Sequence, residues 1–229
     1  ETLFNSTELS ELIKAKSVEN LSIASIGGGP GTEYLGLAKY LWRKKAQHGP
    51  PRKIEFRVLD AVDSWAETWD RLAKEIDDEI VSEFPDFALV VADKFLRIDV
   101  MNADSYNQYQ EMFSETDIIV FNYIFSENKT TLDKARDVVK HLCCVAPAHC
   151  IFVVIDRLEV NTSFLNDVKS MFGEIFDKEI THSTIGGCID FDESTDSFGD
   201  LLSHLGYPRL KFKNADGTPT VFWFTVSRG

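Results

Sequence analysis

The chain has 229 residues, 44% of them hydrophobic and 27% charged, which excludes disordered and fibrous classes and predicts one globular domain over residues 1–229. Lys and Arg number 24 against 37 Asp and Glu, a net charge of −13. That balance argues against a broad nucleic-acid grip, which needs clustered cations, and against an anionic membrane surface; no apolar run reaches the ~18–20 residues that span a bilayer.

Residues 1–16 (ETLFNSTELSELIKAK) are polar, lack an apolar signal core and begin without Met. They predict a helical extension with chain missing ahead of it, and no secretory leader. The segment Leu21–Gly27 (LSIASIG) is a short apolar strand. Glycines follow, then a helix with Tyr34, Leu35, Leu37, Ala38, Leu41 and Trp42 at helical spacing. The loop at His48–Pro51 ends that unit. Ile54–Asp60 alternates as a strand, and the next helix carries Trp65, Trp69, Leu72, Ile76 and Ile80 on one face. Both tryptophans are expected in the core, with an edge of a ligand pocket as the alternative for Trp65, which lies close behind Asp60.

Phe95–Met101 is predicted as the third strand, and Asp117–Phe125 (DIIVFNYIF) reads as a strand buried on both faces. A helix from about Lys129 to Leu142, a strand at Cys150–Ile155, a helix at Ser163–Phe176 and a final strand at Thr220–Ser227 complete the series. Strands alternating with helices of this length predict an α/β fold, a doubly wound and mostly parallel sheet with helices on both faces and the last strand antiparallel. Ser183–Pro219 reads as an irregular insertion before that strand. Cysteines at 143, 144, 150 and 188 form no C-x-x-C pair, which predicts a reduced compartment, cytoplasmic or nuclear.

Ligands of open α/β sheets sit beyond the carboxyl ends of the strands, so four strand ends belong together. The first carries Gly27-Gly28-Gly29-Pro30-Gly31-Thr32-Glu33. As a dinucleotide fingerprint it fails: the sixth position is Thr32 rather than Gly or Ala, and Pro30 lacks an amide that a pyrophosphate would use. A nicotinamide-dependent oxidoreductase is therefore disfavoured. Asp60 ends the second strand, where a carboxylate accepts both hydroxyls of a ribose. Asp99-Val100 ends the third, and Asn122-Tyr123-Ile124-Phe125 closes the fourth. The five histidines show no metal-ligand spacing, and the acidic run Asp190, Asp192, Glu193, Asp196, Asp200 fails the calcium-loop pattern at Thr195 and Leu201. No metal is predicted, and that run is expected to be a solvated loop or a lid.

With Gly27, Gly29 and Gly31 at alternate positions and the other motifs in this order, the stretch from about Leu21 to Asp156 resembles the class I S-adenosylmethionine-dependent methyltransferases. The resemblance implies S-adenosyl-L-methionine as cofactor and S-adenosyl-L-homocysteine as product. It places Gly27, Gly28, Gly29, Pro30, Gly31 and Glu33 at the glycine-rich loop and Asp60 and Ala61 at the ribose. Asp99 and Val100 fall at the adenine, and Asn122 and Tyr123 near the reactive methyl. Asn122-Tyr123-Ile124-Phe125 lacks the paired prolines of the adenine and glutamine amino-methylating relatives, so the implied acceptor is a small molecule or a protein. Tyr123, Glu127 and Asp156 are base candidates by location only, and no catalytic residue is assigned. A non-catalytic binding or sensor module stays open, as does an RNA methyltransferase using Arg43, Lys44, Lys45, Arg52 and Lys53 as a local basic patch.

Overall fold

Strand β1 (Asn20–Ile26) is buried along all but its first residue because it lies between two others. Both β2 (Lys53–Asp60) and β4 (Ile118–Asn122) run parallel to it. This computed structural model describes residues 7–15, 20–38, 40, 53–83, 95–157, 163–186 and 219–227. With β3 (Phe95–Arg97), β5 (Ile151–Arg157), β6 (Ser183–Gly186) and β7 (Pro219–Ser227), the strands form one seven-stranded sheet in the order β3-β2-β1-β4-β5-β7-β6. Only β7 runs against its neighbours β5 and β6. From β1 the chain works outward to β3, then returns to β4 on the other side of β1. The strand order therefore reverses between β1 and β4, where this class of sheet opens a crevice.

Alternation along the strands divides the core in two. Ile118 and Val120 of β4 face one cluster, Ile119 and Phe121 the other. The first cluster is roofed by α1 (Thr7–Ala15), α2 (residues 32–38) and α3 (Trp65–Glu83), which contribute Leu9, Ile13, Tyr34, Leu37, Trp69 and Leu72. Tyr34 lies against the rings of Phe56 and Trp69, at centroid distances of 5.1 and 5.6 Å, and its hydroxyl donates to Asp77 at 2.7 Å. The second face is covered by a 3-10 helix (Ala103–Tyr109), α4 (Gln110–Ser114), α6 (Leu132–Val145) and α7 (Ser163–Phe176). Its centre is aromatic: the Phe172 ring meets those of Phe121, Phe125, Phe176 and Phe224 at 5.2–6.0 Å.

The expected mixed α/β sheet is present, antiparallel last strand included. Three local expectations are corrected. Ser183–Gly186 is strand β6 on the sheet edge, not irregular chain. The third strand ends at Arg97 rather than Met101. The fourth ends at Asn122, because Tyr123 turns the backbone into the left-handed region (φ 57°) and Ile124–Glu127 forms a single helical turn, α5. The acidic run 190–200 and the basic residues 43, 44, 45 and 52 lie outside the described residues; Lys53 is in β2, paired with Glu55. No described helix is long and apolar enough to cross a membrane.

Because Phe172 is fully buried among four other rings, Phe172→Ala leaves a void that collapse cannot fill. It should cost ~3–5 kcal/mol in urea unfolding.

Candidate active site at the carboxyl ends of the parallel strands

Backbone hydrogen bonds lock the strand ends together. The Gly27 amide donates to the Leu59 carbonyl at 2.8 Å, and the Ile98 amide donates to the Asp60 carbonyl at 3.0 Å. The glycine loop is held at the β1/α2 junction by its own geometry. Gly27 has φ +69°, and a Cβ there would stand 2.8 Å from the Asn122 carbonyl oxygen and 2.7 Å from the Ile124 side chain. Gly31 has φ +82°, and a Cβ there would stand 2.3 Å from the Trp69 ring. Both positions combine a backbone that L side chains rarely adopt with a close approach that forbids one. Trp69 is thus the floor on which the loop rests.

Asp60 sits against this loop. Its Oδ2 accepts the Gly29 amide at 3.0 Å and its Oδ1 accepts the Val62 amide at 2.9 Å. Each carboxylate oxygen retains a second lone pair for a further donor. Ala61 is exposed beside it. Asp99 is exposed, and its Oδ1 accepts the Met101 amide at 3.1 Å. Val100 is half-buried against the core, and its carbonyl accepts the Tyr106 hydroxyl at 3.1 Å.

Glu33, in the first turn of α2, joins the loop to β4. Its Oε2 accepts the Ser25 hydroxyl at 3.3 Å, and its Oε1 accepts Thr32 Oγ1 at 3.4 Å and the Asn122 side-chain amide. These donors are neutral. Burial dominates their effect and lifts the Glu33 carboxyl from 4.5 to about 7. Tyr123, beside Asn122, lies under the Arg157 guanidinium at 5.5 Å; burial raises its hydroxyl pKa, Glu33 and Asp156 add to the rise, and Arg157 opposes it. The loop, Asp60, Glu33, Asn122 and Tyr123 therefore form one connected set, to which the Ile98–Asp60 bond attaches the segment carrying Asp99 and Val100.

Two residues named by location do not present a base to this set. Asp156 is fully buried; its Oδ2 accepts the amides of Phe125 and Ser126 at 3.0 and 2.9 Å, and its Oδ1 accepts that of Arg157 at 2.7 Å. It anchors the amino end of α5. Glu127 is exposed, and its carboxylate lies 3.8 Å from the Arg157 guanidinium. Sequence reasoning did not anticipate the Glu33–Asn122 bond, although the two residues lie on elements that any strand order pairing β1 with β4 brings together. Among the described residues no three His, Cys, Asp or Glu side chains are grouped to hold a metal.

No family model matches the chain, and no curated protein matches it in sequence. Solved structures match it in fold. A precorrin-6y C5,15-methyltransferase from Geobacter metallireducens superposes with a TM-score of 0.51 at 9% identity, over 100% of this chain and 92% of that one. A SAM-dependent methyltransferase from Archaeoglobus fulgidus aligns over 99% of this chain and 97% of that one, at 13% identity and a TM-score of 0.45. The first likeness places the chain in the class I methyltransferase fold; at 9% identity it speaks for the fold alone.

Two outcomes follow from the geometry. Gly31→Ala must both strain the backbone and displace Trp69, so it should lose ~2–4 kcal/mol in urea unfolding. Glu33 holds its proton in the folded state between pH 4.5 and about 7, where the unfolded chain has released it. Its stabilising contribution is therefore complete below pH 4.5, declines as pH rises to about 7 and is flat above. Glu33→Gln, a neutral stand-in for the protonated acid, should exceed the wild type in stability at pH 8 by at most ~3 kcal/mol. The difference should vanish near pH 4.5 in parallel urea titrations.

Proposed function

We propose that the chain is a methyltransferase that binds S-adenosyl-L-methionine at the carboxyl ends of β1 to β4 and passes its methyl group to a small-molecule or protein acceptor. The observation that carries this reading is the direct contact between the glycine loop and Asp60, at 3.0 Å from Gly29 N to Asp60 Oδ2, in a class I methyltransferase fold. The residues present suit that cofactor. Asp60 keeps lone pairs for a ribose diol, Gly27 and Gly31 let the backbone approach closely, and Glu33 is a desolvated acid bonded to neutral donors. In this assignment Gly27, Gly28, Gly29, Pro30, Gly31 and Glu33 receive the amino-acid part. Asp60 and Ala61 receive the ribose, and Asp99 and Val100 the adenine edge. Asn122 and Tyr123 border the reacting carbon.

When bound, the cofactor supplies an electrophilic methyl on a sulfonium. Held by the glycine loop, Glu33 and Asp60, it would give up that methyl to the acceptor and be left as a neutral thioether. The protein's part is alignment, which can be worth several kcal/mol. Glu33 also has a charge role: a ligand ammonium favours its ionised form, so ligand uptake expels a proton below about pH 7. A binding or sensor module is the second reading, and the occupied state of Asp156 and outward placement of Glu127 favour it.

Calorimetry with S-adenosyl-L-homocysteine is the test. Binding is expected, and its absence in folded protein refutes the assignment. Asp60→Ala should weaken that binding by ~1–3 kcal/mol, the cost of a lost hydrogen bond to a charged group; unchanged affinity removes Asp60 from the ribose. Labelled S-adenosyl-L-methionine incubated with size-fractionated cell extract then separates the two readings: label passes to one fraction for the enzyme and to none for the module.

A further inference from the structure

The parallel strands lie side by side in the order β3-β2-β1-β4-β5, and their carboxyl ends form one row. In the assignment above, that row carries the adenine edge at Asp99, the ribose at Asp60, the amino-acid part at the glycine loop and the reacting carbon at Asn122 and Tyr123. One strand end is left over. Strand β5 follows β4, with Ile155 in register with Asn122, and it ends at Arg157. An acceptor must meet the methyl from a side that the cofactor does not fill, and β5 supplies the next place in the row.

Two independent observations single out this place. Tyr123 is held in the left-handed region at φ 57°, a strained conformation for a bulky side chain and one that clusters at binding sites. Its amide donates to the Ile155 carbonyl at 2.9 Å, and the Arg157 amide donates to Asp156 Oδ1 at 2.7 Å, so both backbones are fixed. The second observation is the state of the Arg157 guanidinium, which lies over the Tyr123 ring at 5.5 Å. Its carboxylate partner Glu127 stands 3.8 Å away, and the two side chains are 63% and 62% exposed. That separation is beyond hydrogen-bond reach, and an ion pair so exposed contributes little. Among the described residues the guanidinium therefore has five N–H donors and no hydrogen-bonded acceptor.

We propose that Arg157 binds a carboxylate of the methyl acceptor, so that the site takes a carboxylate-bearing substrate. This rests on the methyl-transfer reading above and names its acceptor class. A planar guanidinium takes both oxygens of a carboxylate through two parallel N–H bonds, and the contact with Tyr123 steadies it without using those donors. That grip occupies the carboxylate, so the nucleophile is another atom of the acceptor, turned toward Asn122 and Tyr123. Charge favours a monoanion over a phosphate dianion. The chain carries −13 and Glu127 lies beside the guanidinium, so each further negative charge on the ligand meets more repulsion. Glu127 is the competing carboxylate, and a bidentate ligand displaces it.

The test titrates benzoate, its uncharged match benzamide, and phenyl phosphate into the full chain saturated with S-adenosyl-L-homocysteine. The readout in the wild type is the Arg157 side-chain Nε–H resonance, identified by its loss in Arg157→Lys; saturation transfer to the probe gives affinity in every variant. Benzoate should shift that resonance saturably, with benzamide at least ten-fold weaker and phenyl phosphate weaker than benzoate. Arg157→Gln should weaken benzoate by ten-fold or more, the scale of a lost hydrogen bond between charged groups, and keep S-adenosyl-L-homocysteine affinity within about two-fold. Arg157→Lys retains the charge but not the fork and should fall between the two. Glu127→Gln removes the competitor and should tighten benzoate by up to about five-fold. If the wild type binds S-adenosyl-L-homocysteine but benzoate leaves the resonance unmoved, or Arg157→Gln binds benzoate equally well, the acceptor class is wrong and the cofactor assignment survives. Tighter binding of phenyl phosphate, or an equal loss of benzoate and S-adenosyl-L-homocysteine in Arg157→Gln, also overturns it. If the wild type does not bind S-adenosyl-L-homocysteine, the cofactor assignment and the acceptor class fall together.

Discussion

Everything in the candidate site depends on β1 being parallel to both of its neighbours. With β2 on one side and β4 on the other, the carboxyl ends of all three strands open on the same edge. The loop leaving β1 must then pass between the residues that end β2 and β4. It meets Asp60 through the Gly29 amide and Asn122 through Glu33. A side chain at Gly27 would collide with the Asn122 carbonyl, and one at Gly31 with Trp69. The close approach of three strand ends and one helix leaves main chain as the only material that fits, and main chain there presents amides rather than side chains.

Acids at this sheet and its first crossover helix are held in two different ways. Asp117, at the amino end of β4, accepts the Ser22 amide at 2.9 Å and lies 3.1 Å from His149 Nε2. Asp156, at the carboxyl end of β5, accepts three amides. Both fasten one piece of chain to another, and each has its lone pairs largely committed. Glu33 accepts two hydroxyls and one carboxamide, which compensate a desolvated charge less well than a cation does. Burial therefore wins, and the group sits at about 7 rather than 4.5. An acid held at that balance responds to an arriving cation; burial raises the Asp156 carboxyl as well, but its oxygens are taken up by three amides.

Where local pattern decides structure, the sequence was legible. The apolar runs of β1, β4 and β5 and the helical spacing of α3 and α7 marked their elements. The glycines and acids at the strand ends marked the set that comes together. Failures occurred where an apolar residue serves two kinds of element. Ile124 and Phe125 continue the hydrophobic run of β4 yet belong to α5, because a buried turn of helix is as apolar as a buried strand. The break is a left-handed Tyr123, a conformation no residue pattern there announces. Strand β6 has four residues, too few for alternation to appear. Trp65 and Trp69 share helical spacing, yet Trp65 is 37% exposed and Trp69 1%, because spacing does not say that the helix starts beyond the sheet. Asp156 ends a strand as Asp60 does, and only its hydrogen bonds distinguish an anchor from a binding group.

That distinction bears on what the site asks of an acceptor. On the proposed reading, the acids near Asn122 and Tyr123 among the described residues are Glu33, Asp156 and Glu127. Asp156 is committed to amides, and Glu127 faces outward beside Arg157. Glu33 is engaged with Asn122 and, in the assignment, with the ligand's ammonium. The Tyr123 hydroxyl has its pKa raised by burial and by two neighbouring acids, so it favours keeping its proton. A general base contributes only when the acceptor has a proton to lose in the transition state. On that reading the described residues suit a nucleophile that arrives with a free lone pair, or already deprotonated, better than one that needs them to remove its proton. Alignment rather than proton transfer is then the larger contribution, and the narrow, backbone-lined junction of β1, β2 and β4 is well suited to provide it.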